Sequence, residues 1–416
     1  MKNVLIVTPF MPYPLNSGGN IAQFVFIDKL RDDYNLYLLF PQNEIDDNFT
    51  KLSLIWSNVT LLPFKETFNL KVKRYISQKI PAIFEKYITI YSLNKRYYDI
   101  NILYNTKMFE SDKYYIDKEF VRYIEKLVTI YNIDLIQVEF YDFISLGKLL
   151  SINVEKVFIH HEIRFVRESR EMKLLKPSNS RIQRLLEKNK LHEISMLSFY
   201  DKIVTLSKVD VEILQSNLPN KNILPSPIPI LPNINFLHNN YSVEFSNKLV
   251  FLGGGAHFPN VDGLTWFLDN VWEMIKIDFP DVNLFIVGSW PEHKIRKFKN
   301  DSRVKFLGFV EDLSDILIGS IFIIPIRIGS GIRMKIVEAI NLGCPIISTT
   351  VGIEGINLEP NTDYLLSDTP LDFLKSVKTL IGNPELYRLL INNSKNNYNR
   401  HYSFDALIKQ RKNIYN

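Results

Sequence analysis

The residues best suited to chemistry lie between Gly319 and Gly355, in the stretch GSIFIIPIRIGSGIRMKIVEAINLGCPIISTTVGIEG. Gly329-Ser330-Gly331 is a loop whose backbone can come close to a ligand. Arg333 and Lys335 follow at the expected first turn of a helix. Free N–H groups at a helix start attract anions, whereas two cations placed there oppose the helix dipole. A bound anion offsets that cost, so the chemistry implied is phosphate binding. The competing reading is a well-packed βαβ unit with two solvated basic residues. Glu338, three residues after Lys335, is either its surface ion-pair partner or an acceptor for ribose or sugar hydroxyls.

A second concentration is His160-His161-Glu162, directly after the apolar run Val157 to Ile159. Neighbouring side chains on extended backbone point to opposite sides, so at most one histidine faces a cleft. No H-E-x-x-H spacing follows, and zinc ligation is not expected. A purely structural histidine is the alternative.

These residues need elements to hold them. Ile321 to Ile326 is long enough for a buried strand and too short for a helix. Ile332, Ile336 and Ile340 recur at helical spacing, Gly343 stops the helix, and Cys344 to Thr350 reads as the next strand. That is one βαβ unit, with its helix start beyond the carboxyl end of a sheet, where α/β proteins bind ligands. The chain opens the same way, with a strand at Val4 to Val7, prolines 9, 12 and 14, a Gly18-Gly19 loop and a helix from Ile21 to Leu30. Those glycines are not a G-x-G-x-x-G fingerprint, which argues against a dinucleotide site. Strand-like runs recur at Leu36 to Phe40, Val59 to Leu62, Ile133 to Val138, Ile203 to Leu206, Leu249 to Leu252, Asn283 to Val287 and Val304 to Leu307. Arg164, Arg167 and Arg170, with Glu168 and Glu171 among them, read as a charged and mostly solvated segment.

The glycine loop, the basic helix start, Glu338-Ala339, Gly343, Pro345 and the β-branched strand together resemble the donor site of family 4 glycosyltransferases, which are retaining enzymes of the GT-B fold. The resemblance implies an α/β chain of two Rossmann-like domains facing across a cleft, with a C-terminal helix crossing back to the first domain. It implies that the helix start with Arg333 and Lys335 holds the diphosphate of a nucleotide sugar, and that Glu338 binds the ribose. The family's E-x7-E pattern would put its first glutamate at Ser330, so Gly329, Ser330 and Gly331 stand where that carboxylate usually contacts the sugar. Gly18 and Gly19 fall in a loop that lines the sugar side, and Gly254 in the loop Gly253-Gly254-Gly255, where many members carry phosphate-binding cations. The resemblance also implies a histidine touching the transferred sugar or its phosphate. His160, nearer the strand end, is favoured over His161.

At 416 residues the chain has room for two domains. The expected boundaries are 1–232 for an acceptor domain, 233–396 for a nucleotide-sugar domain and 397–416 for the returning helix. Asn217 to Pro232 holds five prolines, which makes it and the following Asn233 to Phe245 the expected linker, with Pro232-Asn233 at its crossing. A single cysteine, Cys344, excludes an internal disulfide and suits a reducing cytoplasm. No apolar run approaches the ~20 residues of a membrane span, and MKNVLIVTPF reads as a first strand and not as a signal peptide. A net charge of +5 is modest and does not indicate nucleic acid. Residues 64–98, however, hold eight Lys or Arg against two Glu, with eight aromatics interleaved. This is either a peripheral membrane or acceptor contact, at the inner face of the membrane if the acceptor is lipid-linked, or a pair of helices with a solvated basic face.

The function expected is transfer of a sugar from a nucleotide-diphosphate donor to a saccharide or lipid-linked acceptor, in bacterial surface polysaccharide synthesis. No cofactor and no metal is expected, since no D-x-D pair occurs. Two rivals are a sugar-nucleotide 2-epimerase on the same fold and a non-catalytic anion-binding scaffold.

Overall fold

The computed structural model describes residues 1–15, 17–66, 72, 76, 79–92, 106–110, 116–174, 180–228, 244–298, 300–310, 312–402 and 404–415. The chain divides into two compact units, the first formed by residues 1–229 and 404–416 and the second by 230–403. Most of the expected linker, Pro232-Asn233 included, and much of the basic stretch 64–98 lie outside the described residues.

The first unit carries a seven-stranded parallel sheet. Its strands are β1 (Asn3–Val7), β2 (Asn35–Pro41), β3 (Val59–Phe64), β4 (Leu135–Glu139), β5 (Glu155–His160), β6 (Lys202–Thr205) and β7 (Asn222–Pro225). They lie in the order β3-β2-β1-β4-β5-β6-β7. Val4, Leu5, Ile6 and Val7 are all fully buried. That is the unbroken apolar run of a strand covered by helices on both faces. The helix after β1 spans Gly18–Leu30, with the Ser17 hydroxyl accepting from the Asn20 N–H as its cap. Gly18 and Gly19 therefore begin the helix, where the sequence pattern suggested a loop ahead of it. Ser17 is a better start signal than the apolar spacing, because its oxygen satisfies an otherwise open N–H.

The second unit repeats the plan with six parallel strands, β8 (Lys248–Leu252), β9 (Asn283–Val287), β10 (Val304–Gly308), β11 (Ser320–Ile324), β12 (Ile346–Ser348) and β13 (Leu365–Leu366), in the order β10-β9-β8-β11-β12-β13. Both sheets reverse strand order once, between β1 and β4 and between β8 and β11. At such a reversal the following loops part in opposite directions and leave a crevice at the carboxyl ends of the strands. Both chemically interesting clusters lie at these two places.

The carboxyl-terminal helix, Phe404–Tyr415, returns to the first unit and packs beside Gly18–Leu30. Arg411 lies 3.8 Å over the Phe26 ring and donates to Ser226 at 2.7 Å, and Tyr34 meets Tyr415 edge-on at 5.1 Å. Among the described residues no helix is long and apolar enough to cross a membrane.

Candidate active site

In the second unit, β11 ends at Ile324 and the chain loops from Pro325 to Arg333 before the helix Met334–Asn341. Gly329 and Gly331 have φ of +137° and +75°. Those are backbone conformations that side chains rarely tolerate. A Cβ on Gly329 would also stand 2.5 Å from the Arg333 guanidinium. Arg333 is the residue before the helix and not part of its first turn. Its Nη1 donates to the carbonyl oxygens of Ser330, at 3.0 Å, and of Gly331, so the guanidinium braces the loop. The helix takes no cap from the Arg333 side chain, and the Arg333 carbonyl accepts from the Ile336 N–H at 3.0 Å. Its other end closes in a Schellman motif, Gly343 N–H to Ile340 O at 3.2 Å and Cys344 N–H to Ala339 O at 3.0 Å, with Gly343 at φ +70°.

Lys335 bends back under the loop that follows β8. Its Nζ donates to Leu252 O at 2.7 Å and Asn260 Oδ1 at 3.0 Å, and lies 5.1 Å over the Phe251 ring. Burial, with the Arg333 charge adding to it, pulls this ammonium down to about 7, against an opposing pull from Glu338. Burial likewise raises the Glu338 carboxyl above its ordinary range, and Lys335 works against that rise. Asn260 donates its amide to Gly254 O at 3.1 Å and so ties the lysine to the glycine loop. A Cβ on Gly253 would come within 2.8 Å of the Asn260 amide. Trp290 and Lys294 hold the carbonyls of Gly253 and Gly255, each at 2.8 Å. Gly254, Gly329, Ser330, Gly331, Arg333, Lys335 and Glu338 thus gather at the β8/β11 reversal. Asn260 is the residue whose role sequence reading missed. The signal was an asparagine at the start of a helix behind three glycines.

The first unit places its cluster at the β1/β4 reversal. Glu139 ends β4, and Phe140 follows at φ +66°, a left-handed conformation that costs a bulky residue energy. The Phe140 ring stacks on His161, with centroids 3.9 Å apart and planes 7° from parallel, and packs on Phe10 at 4.7 Å. Gly19 lies under it, and a Cβ there would be 3.1 Å from the Phe140 ring. Gly18 is exposed at the helix start.

The two histidines do different things. His160 is 1% exposed, and its Nε2 meets Glu193 Oε1 at 2.8 Å. Glu193 also accepts from the N–H groups of Arg164 and Phe165 at 3.1 and 3.0 Å and so caps the helix Arg164–Lys173 from a distant segment. The His161 side chain is 12% exposed, and its Nε2 meets Glu139 Oε2 at 2.5 Å. Arg164, Arg167, Glu168 and Glu171, expected to be solvated, are buried. Arg167 bridges Glu162 and Glu171, and Asn189 donates to Glu168. Alternating charges read alike on a solvated helix and on one that packs charge against charge. Gln137 and Glu139, two polar residues on one face of an apolar strand, were a usable signal that the sequence reading passed over. Among the described residues no group of three His, Cys, Asp or Glu side chains is arranged to hold a metal.

Residues 246–383 match the family described as glycosyl transferases group 1. An uncharacterized glycosyltransferase of Haemophilus influenzae is 26% identical over 227 residues, which cover 51% of this chain and 61% of that protein. An uncharacterized 44.6 kDa protein in the cps region of Klebsiella pneumoniae is 23% identical over 99% of this chain and all of its own length. Among solved structures, the sucrose-phosphate synthase of Thermosynechococcus elongatus superposes with a TM-score of 0.68 at 13% identity, covering 100% of this chain and 98% of the enzyme. Anabaena HepE in complex with UDP reaches 0.63 at 12% identity, covering 100% and 99%. At these identities the solved structures establish the GT-B fold. The β8/β11 site thus lies within a stretch that matches a group 1 glycosyl transferase domain.

Proposed function

We propose that the chain transfers a sugar from a nucleotide-diphosphate donor to a saccharide or lipid-linked acceptor hydroxyl, with retention at the anomeric carbon and without a metal. The observation that supports this most is the start of Met334–Asn341, which takes no side-chain cap from Arg333 and sits behind a positive-φ glycine loop with Lys335 beside it. The helix N–H groups and Lys335 take up charge as the diphosphate departs, and such donors act most strongly where charge develops. Arg333 keeps Gly329, Ser330 and Gly331 in shape for the sugar and phosphate. Glu338 accepts from the ribose. For retention, the acceptor oxygen bonds to the anomeric carbon on the face from which the diphosphate leaves. The carbon–oxygen bond to that diphosphate breaks at the same time, and the departing phosphate oxygen takes the acceptor proton. HepE has been solved with UDP, which supports the donor class. The contact to the transferred sugar falls to the histidine pair, with His161 the more accessible and His160 engaged by Glu193. The K. pneumoniae relative in a cps region supports a role in polysaccharide synthesis.

The test is thermal shift with UDP, GDP, ADP and their sugar conjugates in chelator, followed by release of free sugar from whichever conjugate binds. A ligand that prefers the native state raises its melting temperature. One nucleotide shifting the native protein, with slow sugar release, is the expected result. Binding without release would favour the scaffold reading, and release only with added divalent metal would overturn metal independence.

A membrane-facing role for part of 64–98 rests on the helix Ile80–Ser92. Ile80, Ile83, Phe84, Tyr87 and Ile88 are 50, 44, 67, 62 and 36% exposed and share one side at helical spacing. An exposed apolar stripe in a basic segment suits an anionic lipid surface. Sedimentation with anionic but not neutral vesicles is expected, and equal partitioning to both would count against it.

A further inference from the structure

The Glu139 carboxylate has a second oxygen, and its partner leads away from the site. Gln137, two residues earlier on the same face of β4, donates Nε2–H to Glu139 Oε1 at 2.5 Å. The Gln137 carbonyl oxygen in turn accepts from the Tyr415 hydroxyl at 2.5 Å. Gln137, Glu139 and Tyr415 are 2, 3 and 1% exposed. The donations converge on the carboxylate: the Tyr415 O–H donates to the Gln137 amide oxygen, the Gln137 N–H donates to Glu139, and the His161 ring N–H donates to Glu139 from the other side. A carboxylate only accepts, so His161 carries its proton on Nε2 and presents Nδ1 as its other ring nitrogen. Arg411 lies within electrostatic reach of both Glu139 and Tyr415, so a guanidinium one turn before the tyrosine balances the buried carboxylate. Stacking on Phe140 fixes the plane of the imidazole and Glu139 fixes its rotation.

We propose that the C-terminal helix positions His161 through this buried relay from Tyr415 to Gln137 to Glu139, so that the last twelve helical residues set the tautomer and aim of a side chain at the β1/β4 crevice. Tyr415, Gln137 and Glu139 are positioning residues, and none of them needs to touch substrate. The kinetic part rests on the transferase reading, and the spectroscopic part does not.

The experiment uses the full chain with ¹⁵N-labelled histidine, the His161 signals being assigned by their loss in His161→Asn. In the native protein the two ring nitrogens should report the Nε2–H form. Tyr415→Phe removes one hydroxyl and should shift the His161 nitrogens, and Glu139→Gln should shift them further, with the His160 signals unmoved. Tyr34→Phe is the control, since Tyr34 packs on Tyr415 and donates to Lys412 O at 3.2 Å without entering the relay. It should leave His161 unchanged. On the donor-hydrolysis assay, Tyr415→Phe should lower kcat by about tenfold with KM within about twofold, the scale on which orienting partners act. Unchanged His161 signals in Tyr415→Phe would overturn the relay, as would equal shifts in Tyr34→Phe, which would mean general loosening of the helix. A native protein that neither binds a nucleotide nor releases sugar would overturn the transferase reading, and the spectra would still decide the relay.

Discussion

The two sheets reverse strand order at equivalent places, yet their crevices are built on opposite principles. At β8/β11 stand a helix start that takes no side-chain cap from Arg333, glycines where a Cβ would collide, and a lysine that burial pulls down to about 7. At β1/β4 the polar groups are engaged in specific pairs, His160 with Glu193, His161 with Glu139 and Arg167 with two glutamates. The first arrangement suits a ligand that arrives with its own negative charge. The second suits side chains that must already be aimed when a substrate arrives. On the proposed reading, substitutions in the two crevices should fail differently.

The largest effect is expected from Lys335→Ala. Turnover should fall by about 10²- to 10³-fold, the scale of losing one preorganised charge donor, while the melting temperature without ligand stays or rises. Steady-state sugar release beside a melting curve checks this, and a loss of folding in step with activity would break the contrast.

His161→Ala should cost about 10²-fold in turnover, as for a lost proton-handling or oriented polar group, with nucleotide affinity intact. His160→Ala should instead lower stability by about 3 kcal/mol, because it leaves Glu193 buried without its imidazole partner. Denaturant unfolding of the pair tests the assignment. If His160→Ala is stable and inactive, the roles are reversed.

The Lys335 proton gives a third test. Between about 7 and its ordinary 10.5 the unfolded chain holds a proton that the folded chain has released. Stability from this group therefore rises with pH across that window, and its cost is fullest below 7. A diphosphate favours the charged form, so binding recaptures the proton, and affinity should fall by up to about tenfold per pH unit above 7. Calorimetry from pH 6.5 to 9, in buffers of different ionisation heat, should show proton uptake that Lys335→Arg removes. Flat affinity across that range would mean the lysine does not meet the phosphates.

How much of this was readable follows from what each residue does locally. Gly329, Gly331 and Gly343 obey backbone rules, so the loop and the helix stop were legible, and buried strands advertise themselves as apolar runs. Arg333 was placed one position too deep because helical spacing ignores where the first intrahelical bond forms, and boundaries are the least certain part of such a reading. The partnerships of His160 and His161 were not legible, because Glu193 reaches His160 from the helix Ser180–Leu197 and Glu139 meets His161 through the pairing of β4 with β5. Nor was the relay to Tyr415, which joins residues 278 positions apart.

The smallest expected effect separates ribose recognition from simple charge balance at Glu338. Its carboxyl is raised by burial and lowered by Lys335, so it interacts with the lysine whether or not a ribose is bound. Glu338→Gln keeps the shape and removes the charge. If Glu338 only balances Lys335, the variant should bind a nucleoside diphosphate and its 2′,3′-dideoxy analogue with equally altered affinity. If it accepts from the ribose, the native protein should prefer the ribonucleotide by about tenfold, the size of one hydrogen bond to a charged group, and the variant should lose most of that preference. The cycle of two proteins and two ligands isolates the contact, since any effect on Lys335 cancels between the ligands. Equal affinity of the native protein for both ligands would remove Glu338 from the binding site and leave it a helix residue paired with its neighbour.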